Sequence, residues 1–429
     1  EKGFDVNSKN NDDYTIFHHG FHSEYLPFAI QNGFDVNSKN NYNGTIFHTG
    51  YHKEHLKLAI EKGFDVNSKN NDDYTIFHSN SKHVSNLPLA ISKGFDINSK
   101  TKYLETIFHW GHNSKYLPLA IENGFDVNSK DYNGNTIFYE NKHLIHLPLA
   151  IKNGFDVNSK NNHKETIFHW GYNTKNLLLA IENGFDINTK NDNGNTIFHD
   201  GYHSEHLEFA IENGFDVNIK NNKGNTIFHN YCHSKKLSLA IEKGFDVNIK
   251  NNKGNTIFHY NNHQEHLEFA IKKGFNINIT ENNGDTIFHH GYHSKFLESA
   301  IKNGLDVNLQ NNNGDTIFHE GYHPKHLEFA IENDFNVNLQ NDIGNTVFHD
   351  SCHSENLELA IKKGLNINLQ NQKGDTIFHD ESTDKDYFML AIENGFNINL
   401  QNKYGETIFH DEYYDDEHLL LAIEKGFNV

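Results

Sequence analysis

His319-Glu320-Gly321-Tyr322-His323 spells H-E-x-x-H, the spacing with which a helix offers two imidazoles to zinc and a glutamate to the attacking water. The same histidine pair recurs as His199/His203, His229/His233 and His349/His353, with Asp200, Asn230 or Asp350 where Glu320 stands. Both histidines thus belong to a register that runs through the chain, and the glutamate is one draw from a variable position. No zinc hydrolase site is expected, nor any resident metal or cofactor. The sequence carries no nucleophile elbow, phosphate loop, Cys-x-x-Cys pair or triad spacing. We expect a protein that is not an enzyme.

The register has a period of 30 residues, lengthened to 31 three times. A glycine column from Gly3 through Gly33, Gly63 and Gly94 to Gly426 marks it, with Asp334 as the single substitute. That column defines 14 complete repeats and a partial repeat at each end, so residues 1–429 are expected to form one solenoid. Neither end reads as a polar cap, and no initiator Met is present, so we expect a segment of a longer protein. No signal peptide or membrane span is visible.

Residues 196–225 illustrate the unit. Thr196-Ile197-Phe198-His199 is expected to open a short helix. Ser204 reads as the N-cap of a second helix, whose Leu207, Ala210 and Ile211 fall at i, i+3 and i+4 on one apolar stripe. Gly214 follows as the C′ residue, where a positive φ costs little. Asp334 at that position should cost about 1 kcal/mol. Phe215-Asp216-Val217-Asn218 then leads into an extended arm, closed by a turn over 221–225. Later repeats place Gly at the turn position of Gly224. Earlier ones place Asp13, Asn43, Asp73, Leu104 and Lys164 there, and a looser turn is expected for them. One such unit cannot bury its own apolar face, so stacked copies must supply the core.

The pattern resembles the ankyrin repeat across essentially the whole chain. The residues that carry the resemblance are Gly224-x-Thr226-x-x-His229, Leu237-x-x-Ala240-Ile241 and Gly244-x-Asp246-Val247-Asn248. The resemblance implies an all-α, elongated solenoid of stacked helix-turn-helix units with extended β-turn arms. It also implies that the Thr and His of each Thr-Ile-Phe-His hold their own turn. Three departures stand out. The unit is shorter than the family's, with the loss between that His and the second helix. Ile follows Thr in place of Pro. Phe replaces Ala after the glycine, and we expect it to fill the volume that a shortened first helix vacates.

The net charge is −20, and the chain contains no arginine. That balance speaks against nucleic-acid binding, which leans on Arg and Lys at phosphates. Protonating all 33 histidines would carry the charge from −20 to +13 (−20 + 33), so stability should fall between about pH 6.5 and 5. Cys232 and Cys352 share a column four repeats apart, roughly 35–40 Å at helical layer thickness, which is beyond disulfide reach. This fits a reducing, intracellular and cytoplasmic setting.

Specificity has to lie in positions that vary while their neighbours stay fixed. The column after Thr-Ile-Phe-His does so: His19, Thr49, Ser79, Trp110, Glu140, Trp170, Asp200, Asn230, Tyr260, His290, Glu320, Asp350, Asp380, Asp411. The resemblance places this column on a concave binding face. Both tryptophans fall in it, and Trp and Tyr are favoured binding anchors. A second candidate patch is acidic: Asp380, Glu381, Asp384 and Asp386, then Asp411, Glu412, Asp415, Asp416 and Glu417, suited to a basic partner. The expected function is a protein–protein interaction scaffold. The alternatives are a spacer with no dedicated ligand and a His-rich metal binder, for example through His203 and His206.

Overall fold

The computed structural model describes all residues except 1–4, 79–80, 112, 140–141, 172, 260–262, 322, 350–354, 380–384, 411–413 and 429. It divides into two compact units, Glu1–Asn221 and Asn222–Val429. Within each, short helices recur in the predicted register: α1 (Leu26–Gln31) to α7 (Leu207–Glu212) in the first unit, α8 (Leu237–Glu242) to α14 (Asp416–Glu424) in the second. Among the described residues there is no strand, only the isolated bridges Lys39–Thr45 and Lys130–Thr136. Each unit is an all-α stack of ankyrin-like repeats.

The apolar stripe of the helix packs under two phenylalanines in most repeats, with Leu305 and Leu365 in place of the second in two of them. Leu207, Ala210, Ile197, Phe198, Phe215 and Val217 are all buried. The Phe198 and Phe215 rings lie 4.7 Å apart at 55°, and the matching pair recurs from Phe17–Phe34 to Phe378–Phe396. A fully buried phenylalanine contributes up to about 3 kcal/mol. The Phe that departs from the family pattern therefore fills space beside the Thr-Ile-Phe-His turn.

Two local expectations need correction. Thr196–His199 does not begin an α-helix: the His199 amide bonds the Thr196 carbonyl at 3.1 Å, closing one tight i→i+3 turn. Ser204 is not a cap either. Its hydroxyl donates to the Gly201 carbonyl at 3.0 Å, and the helix starts as a 3-10 turn, Ser204–His206, before α7. The residue at the entry is His203, in left-handed geometry with φ 60°. Among the described helix entries α14 alone has a conventional cap, where Asp415 accepts from the Glu417 and His418 amides.

The helix exit follows expectation. The Phe215 amide reaches the Ala210 carbonyl at 2.9 Å and the Gly214 amide reaches Ile211 at 3.2 Å, a Schellman closure with Gly214 at φ 92°. Asp334 holds the same place at φ 71°. The early turns, in contrast, are not looser. Leu104 (φ 63°) and Lys164 (φ 60°) take the left-handed conformation that Gly194 (φ 74°) takes later, with the same amide-to-carbonyl closure across the turn. The strain is retained in these side chains rather than relieved by a new turn shape.

Asparagines tie the arms together. Asn158 Nδ2 donates to the Gly184 carbonyl at 2.9 Å, and its Oδ1 accepts from the Asp186 amide at 2.7 Å. The same double bond joins Asn7 to Gly33 and Asp35, and Asn399 to Gly426 and Asn428. One backbone bond per repeat runs alongside it, for example from the Asp192 amide to the His163 carbonyl at 3.1 Å.

Three substitutions test these assignments by thermal or denaturant melting. Asp334→Gly and Leu104→Gly should each raise stability by about 1 kcal/mol, since glycine removes the left-handed penalty and the Leu104 side chain is largely exposed. Asn158→Ala should lower it by about 1–3 kcal/mol, the value of two inter-repeat hydrogen bonds.

Candidate functional site

The two histidine columns are structural linkers. In each Thr-Ile-Phe-His turn the Thr amide donates to the His Nδ1 at 2.9–3.2 Å. An amide can only donate, so Nδ1 is the acceptor and the proton sits on Nε2. That Nε2–H donates across the repeat boundary, from His48 to the Tyr74 carbonyl at 3.0 Å and from His319 to Asn345 at 3.1 Å. The second column reaches the other way. Nε2 of His52, His143, His203, His293 and His323 donates to the phenylalanine carbonyl of Phe17, Phe108, Phe168, Phe258 and Phe288 at 2.7–2.8 Å.

This geometry explains H-E-x-x-H. His319 Nδ1 receives the Thr316 amide, and its Nε2 holds Asn345. His323 Nε2 holds Phe288, and its Nδ1 meets the Ser294 hydroxyl at 2.9 Å. All four ring nitrogens are occupied, so zinc could enter only by breaking the inter-repeat links. His203 is likewise committed, to Thr174 and Phe168, which removes the shared site imagined with His206.

Burial sets the protonation of both columns. Desolvation pushes His48, His78 and His259 down to about 4, and it lowers His18, His109 and His169 as well. The second column is also lowered by desolvation, at His52, His143, His203 and His293. The columns differ in what protonation would break. A proton on Nδ1 of the first column would face an amide donor. At His203 of the second column, the Thr174 hydroxyl lies 3.0 Å from Nδ1 and 2.9 Å from the Gly171 carbonyl, so it can accept from a protonated ring while its own O–H donates to Gly171.

The variable column is exposed where it is described. His19, Thr49, Trp110, Trp170, Asp200, Asn230 and His290 all reach the surface. Tyr260, Asp350, Asp380 and Asp411 lie outside the described residues, as do Ser79 and Glu140. Glu320 lies in a 3-10 turn, His319–Gly321. Sequence reasoning missed the companion column five residues earlier, just before each Thr. His19 stacks on Tyr14 with ring centres 4.7 Å apart. Trp170 Nε1 donates to Glu165 Oε2 at 3.2 Å. Asn195 Nδ2 donates to Asp200 at 3.3 Å. His290 Nε2 faces Asp285 Oδ2 at 3.1 Å. The signal was available, because both tryptophans have a glutamate five residues before them, Glu105 and Glu165.

Two places gather groups from these columns. Glu281, Asp285 and His290 bring one ligand atom each to within 4.8 Å of one another, a grouping among the described residues that could hold a cation. Asp285 is already engaged there, since Asn311 donates to its Oδ1 at 2.7 Å. The other place is an open pocket of about 330 Å³ lined by Glu165, His169, Trp170, Asn195, Asp200 and Tyr202. Trp110 stands apart from it, beside Tyr74 at 6.5 Å. In the acidic C-terminal patch, residues 380–384 and 411–413 lie outside the described residues. Asp386, Asp416 and Glu417 are exposed, while Asp415 is committed to capping α14 and to His418 Nδ1 at 2.6 Å.

No family model and no curated protein matches the chain. Among solved structures, the ankyrin repeat domain of Bcl-3, titled a unique member of the IkappaB protein family, aligns with 44% of this chain and 94% of that one. Identity is 18% and the TM-score 0.35, too distant a likeness to carry function. The repeat itself defines the class. A Thr–His-locked turn, a short Leu-x-x-Ala-Ile helix, a Schellman glycine and an extended arm repeat in register, and the fold they build is ankyrin-like. No helix among the described residues is long and apolar enough to cross a membrane.

The lowered histidines predict acid sensitivity. A histidine held at about 4 when folded and 6.5 when unfolded leaves the unfolded chain binding more protons between those values. Stability is therefore full above pH 6.5 and falls as pH drops, by about 1.4 kcal/mol per pH unit per such histidine, until about pH 4. The loss thus extends below the window of pH 6.5 to 5 expected from composition. Melting temperature should be level from pH 8 to 7 and decline steadily through pH 5; an unchanged value at pH 5 contradicts the assignment.

Proposed function

We propose that the chain is a non-enzymatic protein–protein interaction scaffold that meets its partner through the column after Thr-Ile-Phe-His and the column five residues before it. The observation that carries the reading is the division of labour within the repeat. Phe198, Leu207, Ala210, the two histidine columns and the Asn158-type asparagines are spent on packing or inter-repeat bonds. The exposed Trp110, Trp170, Asp200, Asn230 and His290 stand outside those fixed positions, and their identities change from copy to copy. Two tryptophans left 41% and 45% exposed beside the buried phenylalanines of the Thr-Ile-Phe-His turns suit partner anchors.

The partner-facing set comprises Trp110, Trp170, Asp200, Asn230, His290, His19 and Thr49, with Tyr260, Glu320, Asp350, Asp380 and Asp411 at the same register. The exposed Asp386, Asp416 and Glu417 support a second contact with a basic partner. The experiment is affinity capture from the source cell with the wild-type chain and a Trp110→Ala/Trp170→Ala variant, paired with circular dichroism. The scaffold reading expects specific partners that the folded variant loses or holds at least roughly tenfold less well. Equal capture by a folded variant would favour the spacer.

A further inference from the structure

We infer that the pocket between Trp170 and Asp200 receives the guanidinium of an arginine side chain on the partner. This rests on the scaffold reading and deepens it by naming what one site recognises.

The pocket joins two aromatic rings to two carboxylates. Trp170 and Tyr202 are both exposed and line it, together with Glu165, Asp200, Asn191 and Asn195. Tyr202 is held there by the neighbouring repeat. Its ring lies over Gly171, where an added Cβ would come within 2.4 Å of it. Trp170 is held by its own indole nitrogen, which donates to Glu165 Oε2. With Nε1 spent, the indole offers a ligand mainly its π face, and a cation is the group that such a face attracts.

The carboxylates are set in advance and carry no counter-charge. Tyr139 Oη at 2.9 Å, Asn161 Nδ2 at 3.1 Å and Trp170 Nε1 at 3.2 Å all donate to Glu165 Oε2. Oε1 has no hydrogen bond among the described residues. Asp200 is exposed and takes only two long contacts from Asn195 Nδ2, at 3.3 and 3.4 Å. Neither carboxylate has an ion-pair partner among the described residues. His169 cannot supply the charge, because burial lowers its pKa and its Nδ1 accepts from the Thr166 amide.

The geometry favours arginine over lysine. A planar guanidinium can stack on an indole while its edge donates to two carboxylates, whereas an ammonium is a compact, strongly hydrated point charge. The chain has no arginine of its own, so no residue of this protein can fill the pocket in that way. The net charge of −20 would also draw such a partner in.

The test uses the full chain carrying Trp110→Phe, which leaves Trp170 as the sole tryptophan. Its fluorescence is titrated with blocked Gly-Arg-Gly, Gly-Lys-Gly and Gly-Leu-Gly peptides. The expected result is a saturable change with the arginine peptide in the millimolar range, about fivefold tighter than with lysine and absent with leucine. Asp200→Asn, an exposed change that leaves the fold intact by circular dichroism, should weaken binding about fivefold, and 0.5 M salt should weaken it further. No saturable change up to roughly 50 mM arginine peptide, equal binding of the leucine peptide, or indifference to Asp200→Asn would each overturn the inference. The two readings fail separately. If partner capture still depends on Trp170 while the arginine peptide does not bind, the scaffold stands and only the arginine assignment falls.

Discussion

A buried carbonyl needs a donor, and in this repeat the Phe carbonyl of Thr-Ile-Phe-His is the one that the local chain cannot serve well. A full helix would return an amide to it four residues on. Here the first element closes after one tight turn, and only a long bond from the following glycine reaches that oxygen, 3.3 Å from the Gly20 amide to Phe17. The next repeat completes it, with His52 Nε2 at 2.7 Å from the Phe17 carbonyl. Shortening the repeat thus creates an acceptor, and the second histidine column answers it. Where that histidine is replaced, the outcome varies. Tyr414 Oη reaches the Phe378 carbonyl at 3.0 Å, but Asn113 Nδ2 comes only within 3.5 Å of Phe77 and bonds Ile107 of its own repeat at 2.7 Å, as Asn173 bonds Ile167 at 2.9 Å.

The first histidine column and the asparagines follow the same logic on the opposite edge. His18 spends one nitrogen on its own turn and the other on the next repeat's Gly44 carbonyl. The Asn158 amide satisfies one donor and one acceptor at once, so a single residue type serves a position where both a carbonyl and an amide end unpaired. Tyr139 shows how a break in the pattern is absorbed. It stands where histidine belongs and cannot make the nitrogen bond, but its longer hydroxyl reaches the Glu165 carboxylate instead. That exchange, together with Asn161 Nδ2, holds Glu165, and through it the Trp170 indole.

Much of this was legible in the residue pattern, and the parts that were not share a cause. The register, the buried Leu, Ala and Phe positions and the Schellman glycine all depend on spacings within one repeat, which periodicity displays directly, and the ankyrin resemblance implied the Thr–His turn. The asparagine links, the second histidine's target and the pairing of Trp170 with Tyr202 join residues in different copies. Perfect periodicity hides these, because a contact to the next repeat and a contact within the same repeat leave the same column pattern. Ser204 misled for a related reason. Its type suited a cap, but the backbone before it turns left-handed at His203, and the hydroxyl is drawn to the Gly201 carbonyl. Leu104 misled in the other direction, since the amide-to-carbonyl closure of its turn outweighs the preference of its side chain.

The gradient along the chain shows which positions the architecture leaves open to drift. Early arms carry Ser-Lys, where Ser129 is buried and Lys130 Nζ donates to the next arm's Lys160 carbonyl at 2.8 Å. Late arms carry Leu-Gln, where Leu339 is half-buried and Gln340 Nε2 donates both to Gln370 at 3.1 Å and to Gly344 at 2.6 Å. The carbonyl to be satisfied is the same, but the charged donor has been exchanged for a neutral one with a second bond, while the adjoining residue has become apolar. A frame that fixes acceptors and lets donors change can diversify its surface without altering its stack. The column after Thr-Ile-Phe-His carries that freedom furthest. It is bounded by a committed histidine on one side, and no buried acceptor prescribes its residue, which is why indole, carboxylate, amide and imidazole all occur there.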